Sequence, residues 1–233
     1  MKVFALSDFH LSIHNPKPMD IFGGAWVNYL AEIEENWRTL LSEDDVMLIG
    51  GDTSWAMTLE NVRPDLGYLS TFPGKKILIR GNHDYWWHSI GALRKLLPPG
   101  MFALQNDALR LGNLVVCGTR GWTTPESGEG DAQNKKLYDR ELIRLKLSLD
   151  HMKRIKTPGD RAVVMLHYPP FNSRMTDSAF TELIGTYPAD AVIYGHLHGK
   201  NSRVKPLVEL GGIPYHLTSC DLVGNKPVML FEI

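Results

Sequence analysis

The chain of 233 residues is 43% hydrophobic and 22% charged, which is typical of a globular protein. These values exclude intrinsic disorder, a collagen-like repeat and a coiled coil. The 25 basic and 26 acidic residues leave a formal net charge of -1, which argues against a protein that holds nucleic acid or a membrane mainly by bulk charge.

The first part of the chain predicts strands that alternate with helices. We expect strands at Lys2–Ser7, Asp45–Gly50 and Lys75–Arg80. Apolar residues recur at helical spacing over Trp26–Leu41, and Met57–Phe72 is expected to be helical in part, with a break near Pro64. His88–Leu97 predicts a short helix that two prolines end. This order predicts an α/β fold with a partly parallel sheet.

The second part of the chain adds a hairpin, two helices and further strands. A Gly-Asn turn joins strands Ala108–Leu111 and Leu114–Gly118, residues Thr123–Gln133 form a loop, and a long helix follows. The remaining predicted elements are strands at Arg161–His167, Ala189–Gly195, Pro206–Leu210, Ile213–Thr218 and Val228–Ile233, and a helix over roughly Asp177–Tyr187. The sequence has no internal repeat or long linker, so we expect residues 1–233 to form a single domain with two sheets.

Cysteine use and hydropathy indicate a cellular compartment. Cys117 and Cys220 are too few and too far apart to form a disulfide framework, which suits a reducing cytosol. The apolar run Val3 to Leu6 is too short for the core of a signal peptide. No apolar stretch approaches the roughly 18–20 residues that a membrane span needs. We therefore expect a soluble, cytoplasmic protein that does not bind membranes.

Five apolar strands each end in polar residues of the types that bind metals. These residues are Asp8 and His10; Asp52; Asn82, His83 and Asp84; His167; and His196 and His198. Carboxyl ends of parallel strands line the ligand crevice of an α/β sheet, so these side chains should converge. Taken singly, an aspartate after a strand caps a helix or a turn, and a histidine is a core group. The position that all five sets share favours a metal centre instead.

The order of these motifs resembles that of the calcineurin-like metallophosphoesterases. From Asp8 to His198 it reads Asp-x-His, Gly-Asp, Gly-Asn-His-Asp, a lone His and Gly-His-x-His. The resemblance implies a four-layer α/β/β/α sandwich with two mixed β-sheets, and two metal sites that share Asp52. The implied ligands are Asp8, His10, Asp52 and His198 for one metal, and Asp52, Asn82, His167 and His196 for the other. His83, paired with Asp84, would be the catalytic acid.

The chemistry of these residue types agrees with that implication. Imidazole and carboxylate together suit Mn²⁺, Fe or Zn²⁺ better than Ca²⁺. Two such ions, about 3.5–4 Å apart, lower the pKa of a bridging water and clamp the attacking and leaving oxygens. Their charge outweighs that of Asp8, Asp52 and a bridging hydroxide, which favours an anionic phosphoester as substrate. Asp84 is expected to orient the His83 ring and to favour its protonated form.

The motifs of this chain differ at two places from those of one branch of the family. The protein Ser/Thr phosphatases of the family carry Asp-Arg-Gly shortly after their Gly-Asp, whereas here Thr53 and Ser54 follow Asp52. They also carry Glu after Gly-Asn-His, where this chain has Asp84. Both departures argue against protein phosphatase activity and favour the small bacterial phosphohydrolases.

Further residues lie in or beside the predicted ligand loops. The tryptophans there are Trp26, Trp55, Trp86, Trp87 and Trp122. They form either an aromatic rim that stacks on a nucleobase or packing between layers, and the usual burial of large aromatics favours the packing role. Arg120 ends a strand, where it would grip a phosphate oxygen or lie solvated in a loop. The first loop, Leu11–Gly24, is long enough to cover the metals.

We therefore predict a hydrolase with two divalent metal ions that acts on a small-molecule or nucleotide-like phosphomonoester or phosphodiester. The monoester and diester alternatives stay open, as does the oligomeric state, and nucleic acid is not the expected partner. A catalytically weak metal- or nucleotide-binding regulator on the same fold is the alternative, which the presence of His83 and Asp84 disfavours. A metallo-β-lactamase-like hydrolase would need His-x-His-x-Asp-His, but Gly199 and Lys200 follow His198.

Overall fold

A computed structural model describes residues 1–125, 132–199 and 204–233. The strands and helices of these ranges are β1 (Lys2–Leu6), α1 (Tyr29–Leu40), β2 (Val46–Ile49), α2 (Arg63–Ser70), β3 (Lys75–Leu78), α3 (Ile90–Leu96), β4 (Met101–Ala103), β5 (Ala108–Leu111), β6 (Leu114–Thr119), α4 (Ala132–Ile155), β7 (Arg161–Leu166), α5 (Ala179–Gly185), β8 (Ala191–Tyr194), β9 (Leu207–Leu210), β10 (Ile213–Leu217) and β11 (Val228–Glu232). Strands and helices alternate in the first part of the chain, as predicted.

The first sheet has the strand order β11-β1-β2-β3-β4. Strands β1 to β4 run parallel, and β11 pairs antiparallel with β1 at one edge. Helices α1, α2 and α3 cover the outer face, where Trp37, Leu66 and Leu93 are fully buried. Strand β2 is apolar at all of its positions because both faces of the sheet are covered.

The second sheet has the strand order β5-β6-β7-β8-β10-β9. Its inner strands β6, β7, β8 and β10 run parallel, and β5 and β9 pair antiparallel at the edges. Helices α4 and α5 cover the outer face through Leu145, Leu149 and Phe180. Of the helices in the described ranges, none combines the length and the apolar character that crossing a membrane requires.

The two sheets pack face to face. Alternate residues of a strand point to opposite faces, so Val46 and Leu48 of β2 lie between the sheets while Met47 and Ile49 face the helices. Val163 and Met165 of β7 meet them from the second sheet. The layers are therefore helices, sheet, sheet and helices, and the predicted α/β/β/α sandwich with two mixed sheets is confirmed.

Three local predictions differ from the structure. Pro64 does not break a helix but is the second residue of α2, which tolerates it because the N–H groups of the first turn have no intrahelical partners in any case. Strand β4 was not predicted, since three residues are too short for a periodic pattern. The predicted loop Thr123–Gln133 ends early, because α4 already begins at Ala132. Residues 126–131 of that loop lie outside the described residues.

Candidate metal centre

The carboxyl ends of the parallel strands of both sheets meet at one end of the sandwich. The Ser7 N–H donates to Thr218 O over 2.8 Å, which links the end of β1 to the end of β10. His167 Nδ1 lies 3.0 Å from Gly50 O, which links the ends of β7 and β2. The loops that follow these strands therefore share one crevice, as the strand order predicts.

The first group of candidate ligands contains Asp8, His10 and His198. Their ligand atoms all lie within 4.8 Å of one another. Ser7 Oγ donates to Asp8 Oδ2 over 2.5 Å, and the His196 N–H lies 3.1 Å from the same oxygen. Asp8 Oδ1 is 3.4 Å from His198 Nε2. The carboxylate is thus held with Oδ1 toward the imidazoles.

The second group contains Asp52, His167 and His196, again with ligand atoms within 4.8 Å of one another. Asn82 adjoins it, with Oδ1 2.7 Å from His167 Nε2. His167 Nδ1 faces Gly50 O and carries the proton there, because a carbonyl oxygen can only accept. His167 Nε2 is then an acceptor that faces a second acceptor, Asn82 Oδ1. A cation bound between these two atoms would satisfy both.

Asp52 connects the two groups. Its Oδ1 accepts the His83 N–H over 2.8 Å. Its Oδ2 is buried and has no hydrogen-bond partner in the part of the chain that the structure describes. That oxygen lies 3.8 Å from His10 Nε2 and 3.5 Å from His167 Nε2, one imidazole from each group. A buried carboxylate oxygen is normally hydrogen-bonded, so this position fits a ligand shared by two cations.

The protonation of the centre fits the same donor set. Burial and the charges of Asp8 and Asp84 raise the pKa of Asp52 to about 9. The ionised form of this carboxylate is therefore unfavourable unless a positive charge lies beside it. Burial lowers the pKa of His10 and that of His167 to about 3, so both imidazoles are neutral at pH 7 and offer a lone pair. Neutral imidazoles beside buried carboxylates suit a divalent transition metal.

Several candidate ligands lie on sharp backbone turns. Left-handed φ angles occur at Asp8 (63°), His10 (48°), Asp52 (49°) and His196 (70°). Such a conformation costs an L-residue roughly 1–2 kcal/mol, which the surrounding structure must offset. Two glycines allow the close approach, because a Cβ at Gly81 would overlap Asp52 and a Cβ at Gly195 would overlap Asp8. The loops are therefore shaped to turn these side chains into the crevice.

Asp221 is a site residue that the sequence analysis missed. Its Oδ1 lies 2.9 Å from His198 Nδ1, and its Oδ2 accepts the Gly199 N–H over 3.0 Å. Although burial opposes it, hydrogen bonds to Asp221 and Asp8 raise the pKa of His198 to about 10. This arrangement turns Nε2 toward the crevice, as carboxylate partners of metal-binding histidines do. A signal was present, since Asp221 follows β10 after Thr218-Ser219-Cys220, another polar run at a strand end.

His83 lies beside the two groups and belongs to neither. Its ring centroid is 5.5 Å from that of His10 and 4.5 Å from that of Trp55. Its Nδ1 is buried without a hydrogen-bond partner within the described ranges. Burial lowers the pKa of His83, and the charge of Asp8 opposes that shift. The structure thus places an imidazole at the edge of the centre, where proton transfer to or from a bound molecule is feasible.

Asp84 occupies a different position from the one expected. Its carboxylate is fully buried and accepts four hydrogen bonds, none from His83 among the described residues, so its expected role in orienting that imidazole is corrected. The donors are the N–H groups of Gly81 (2.7 Å), Thr53 (2.9 Å) and Ser54 (3.1 Å) and the indole N–H of Trp86 (3.1 Å). Because its side chain turns toward the loop after β2, Asp84 instead ties together the loops that carry Asp52 and Asn82.

The tryptophans divide between the core and the edge of the centre. Trp86 and Trp87 are fully buried and pack between the strands and helices. Trp55 is partly exposed and stacks on His10, with centroids 4.8 Å apart and an interplanar angle of 24°. Trp26 is buried, 5.9 Å from the His10 ring. Trp55 therefore offers an aromatic surface beside the candidate ligands.

The first loop closes one side of that surface. Lys17 Nζ lies 4.4 Å from the centroid of the Trp55 ring, a cation–π contact. Ser12, His14 and Asp65 help to line a cavity of about 180 Å³ next to the two residues. The loop thus forms a wall beside the centre. That the loop also covers the bound metals stays a prediction.

The main chain and the side chain of Arg120 make contacts in different places. Its carbonyl oxygen accepts the N–H groups of His167 and Tyr168, each over 3.0 Å. Its guanidinium lies over the Trp122 ring at 4.9 Å and 3.9 Å from the buried carboxylate of Glu141. Burial lowers the pKa of this guanidinium, and Glu141 opposes the shift. The side chain lines a cavity next to the centre, and its contact with a substrate phosphate stays a prediction.

Known proteins give an independent comparison. The sequence profile of the calcineurin-like phosphoesterase family matches residues 1–200. A protein of unknown function from Aquifex aeolicus is similar in structure, with a TM-score of 0.50 and 14% identity over 98% of this chain and 95% of that one. Phosphopantetheinyl hydrolase from Mycobacterium tuberculosis has a TM-score of 0.60 and 13% identity over 100% of this chain and 96% of that one. No curated protein sequence matches the chain. At these identities the structural likeness shows the fold.

Proposed function

The chain belongs to the calcineurin-like phosphoesterase family, and from this premise we propose that it hydrolyses phosphoesters at a dinuclear metal centre. Membership confirms the resemblance of the motifs between Asp8 and His198. The proposed ligands are Asp8, His10, Asp52 and His198 for one ion, and Asp52, Asn82, His167 and His196 for the other. Because these ligands come from both sheets, we propose that residues 1–233 act as one domain.

The position of Asp52 Oδ2 is the observation that carries the proposal. This oxygen is buried, has no hydrogen-bond partner among the described residues and faces His10 Nε2 and His167 Nε2. A carboxylate with a purely structural role would use both oxygens as acceptors, as Asp84 does. The distances of 3.8 and 3.5 Å are too long for hydrogen bonds, and both imidazoles are neutral at pH 7, which supports a shared ligand rather than an ion pair.

Mixed carboxylate and imidazole ligands support Mn²⁺, Fe²⁺ or Zn²⁺ as the bound ions. When bound, such a pair supplies Lewis-acid stabilisation of the phosphoryl oxygens and an activated water. The chain itself supplies the preorganised ligands, held by Ser7 on Asp8, by Gly50 on His167 and by Asp221 on His198. Ligands fixed in this way need little reorganisation when substrate binds.

His83 is the proposed general acid. It lies next to His10 without belonging to either ligand group, so its imidazole is available to protonate the oxygen of the leaving group. Alkoxide leaving groups need such a proton as the ester bond breaks. Asp84 supports the step only by holding the loop on which His83 lies.

The proposed substrates are small-molecule or nucleotide-like phosphomonoesters or phosphodiesters. The exposed part of Trp55 supports contact with a planar or apolar group next to His83, and the ammonium of Lys17 beside it suits an anionic substrate. Arg120 lines a separate cavity next to the centre, and its guanidinium is proposed to contact a phosphate oxygen of the substrate. Both features suit a small molecule with a phosphate at one end.

Elemental analysis and an activity screen test this function together. We expect protein purified without chelator to hold about two transition metal ions per chain. We also expect added Mn²⁺ to support hydrolysis of phosphomonoesters, phosphodiesters or nucleotides. A folded preparation that takes up no Mn²⁺, Fe²⁺ or Zn²⁺ would contradict the dinuclear centre. Full metal loading with no hydrolysis of any ester would favour the regulatory alternative.

A further inference from the structure

A cavity of about 240 Å³ beside the candidate metal centre is walled by arginines. Its guanidinium groups come from Arg80 at the end of β3, Arg120 after β6, and Arg140 and Arg144 on α4. Arg140 and Arg144 lie four residues apart on the helix and so share one face of it. Separate elements of the fold therefore bring like charges together in one place.

A single carboxylate balances this charge among the described residues that line the cavity. Glu141 is fully buried, and its Oε1 lies 2.6 Å from Arg144, 3.4 Å from Arg140 and 3.9 Å from Arg120. Its Oε2 accepts the hydroxyl of Thr119 over 3.1 Å. One carboxylate cannot neutralise four guanidinium groups, so the cavity has a net positive charge.

The guanidinium donors of the cavity are not all used. Arg80 Nε is buried and has no hydrogen-bond partner within the described residues. Of the neutral acceptors nearby, Gln105 already accepts the indole N–H of Trp87, and Asn106 Oδ1 shares the single hydroxyl proton of Thr119 with Glu141. A buried donor without an acceptor is rare and calls for a partner that the chain does not provide.

The cavity adjoins the second group of candidate ligands. Arg80 stands two residues before Asn82, which places their Cα atoms no more than roughly 7 Å apart. Arg120 O accepts the N–H of His167 from the other side. The cavity and the metal centre are thus neighbours, so a molecule with one end at the centre and a second anionic group on a linker of several bonds suits both places.

We propose that this arginine cavity binds a second phosphate group of the substrate, so that the preferred substrates are phosphoesters that carry a further phosphate. The inference rests on the proposed function for the identity of the first phosphate. Guanidinium groups match phosphate oxygens in charge and in fork geometry. The volume equals that of roughly eight water molecules, which accommodates a phosphate with part of its linker.

Matched nitrophenyl esters test the preference. Thymidine 5′-(4-nitrophenyl phosphate) is compared with the same ester carrying a 3′-phosphate, since nitrophenolate release reports the same bond in both. The wild type is expected to have the higher kcat/KM for the 3′-phosphorylated ester. Arg140→Gln should lower that ratio about tenfold, the effect of one lost charged hydrogen bond. Glu141 keeps Arg144 and Arg120 as partners in this variant, and Arg144→Lys is a second variant that retains the charge.

Lys153→Gln is the control, because it removes an equal charge from an exposed position near the other end of the same helix. A ratio that falls equally in Lys153→Gln and Arg140→Gln would overturn the proposal, since general electrostatics would then explain it. A wild type without preference for the second phosphate, at normal turnover, would overturn it as well.

Titration of inorganic phosphate into the metal-loaded full-length chain, followed by calorimetry, separates the cavity from the catalytic function. We expect one phosphate site that Arg140→Gln weakens about tenfold and Asp52→Asn leaves intact, and another with the opposite response. If neither ester is hydrolysed, the phosphodiesterase form of the proposed function fails, while this titration still decides the role of the cavity. Identical phosphate binding in the wild type and Arg140→Gln would overturn the proposal.

Discussion

Asp221 fixes the orientation of His198 from the side away from the crevice. The 2.9 Å contact between Oδ1 and Nδ1 leaves Nε2 facing Asp8 at 3.4 Å. The side chain of Asp221 is 2% exposed, so solvent competes little for this hydrogen bond. The imidazole nitrogen available to a cation is therefore set by a residue outside the recognised motifs.

Asp221→Asn should weaken metal binding about 10- to 100-fold, because the neutral amide holds the His198 ring less firmly. Equilibrium dialysis followed by elemental analysis measures this change. Asp150→Asn is the matched control, since Asp150 is an exposed carboxylate of α4 whose ion pair with Lys146 spans 2.7 Å. Equal metal affinity in the two variants would show that His198 does not depend on Asp221.

Asp52→Asn should remove both ions, whereas His10→Ala should remove one. The reason is that Asp52 Oδ2 faces an imidazole of each group, while His10 belongs to the first group alone. Activity should fall by more than about a hundredfold in Asp52→Asn, beyond the effect of losing an outer-shell partner. Metal content and kcat/KM of both variants check this order. Normal metal loading in Asp52→Asn would rule out its role as the shared ligand.

His83→Ala should keep its metal ions and lose activity about 10²- to 10⁴-fold on alkyl phosphoesters, as expected for a missing general acid. The loss should be clearly smaller on nitrophenyl esters, because nitrophenolate leaves without protonation. The measurement is kcat/KM for both substrate types at equal metal content. Equal losses on both types would assign His83 to the phosphoryl oxygens instead.

Asp84→Asn should act on stability rather than on proton transfer. The amide keeps one acceptor oxygen for the N–H groups of Thr53 and Ser54 but turns its NH2 group toward the N–H of Gly81, at an expense of roughly 3 kcal/mol in the free energy of unfolding. Urea unfolding monitored by circular dichroism measures this loss. Activity lost by the folded fraction should be the same for alkyl and nitrophenyl esters. A dependence on the leaving group like that of His83→Ala would restore the link to His83.

Much of the fold and of the candidate site could be predicted from the sequence. The buried strands are short apolar runs such as Val46–Ile49, and the polar residues that follow them mark the sheet end where parallel strands deliver their side chains. The structure brings together Asp8, His10 and His198, although nearly the whole chain separates them. Polar residues at the ends of separate strands form one cluster because the parallel strands all end at the same edge of the sheets. The repeated pattern therefore predicts a site.

The parts of the site that the sequence did not predict depend on which way a side chain points, and not on where the residue stands in the chain. Asp84 stands next to His83 in sequence, but its hydrogen bond to Thr53 joins residues 31 positions apart. Adjacent side chains diverge at a turn, so the sequence does not specify which neighbour a carboxylate will reach. Pro64 shows the same limit, since its meaning depends on whether a helix already exists before it.

The crevice is closed by contacts between segments that are far apart along the chain. The His196 N–H and Asp8 are 188 residues apart, and His167 and Asn82 are 85 residues apart. Contacts of such high order form late in folding, because chain entropy is lost before they can compensate for it. The β-α-β units of each sheet must therefore be in place before the ligands meet. Ions bound between these segments would slow unfolding and leave the folding rate almost unchanged, because their ligands come together only after the folding transition state. Bound metal would therefore increase the kinetic stability of the folded chain.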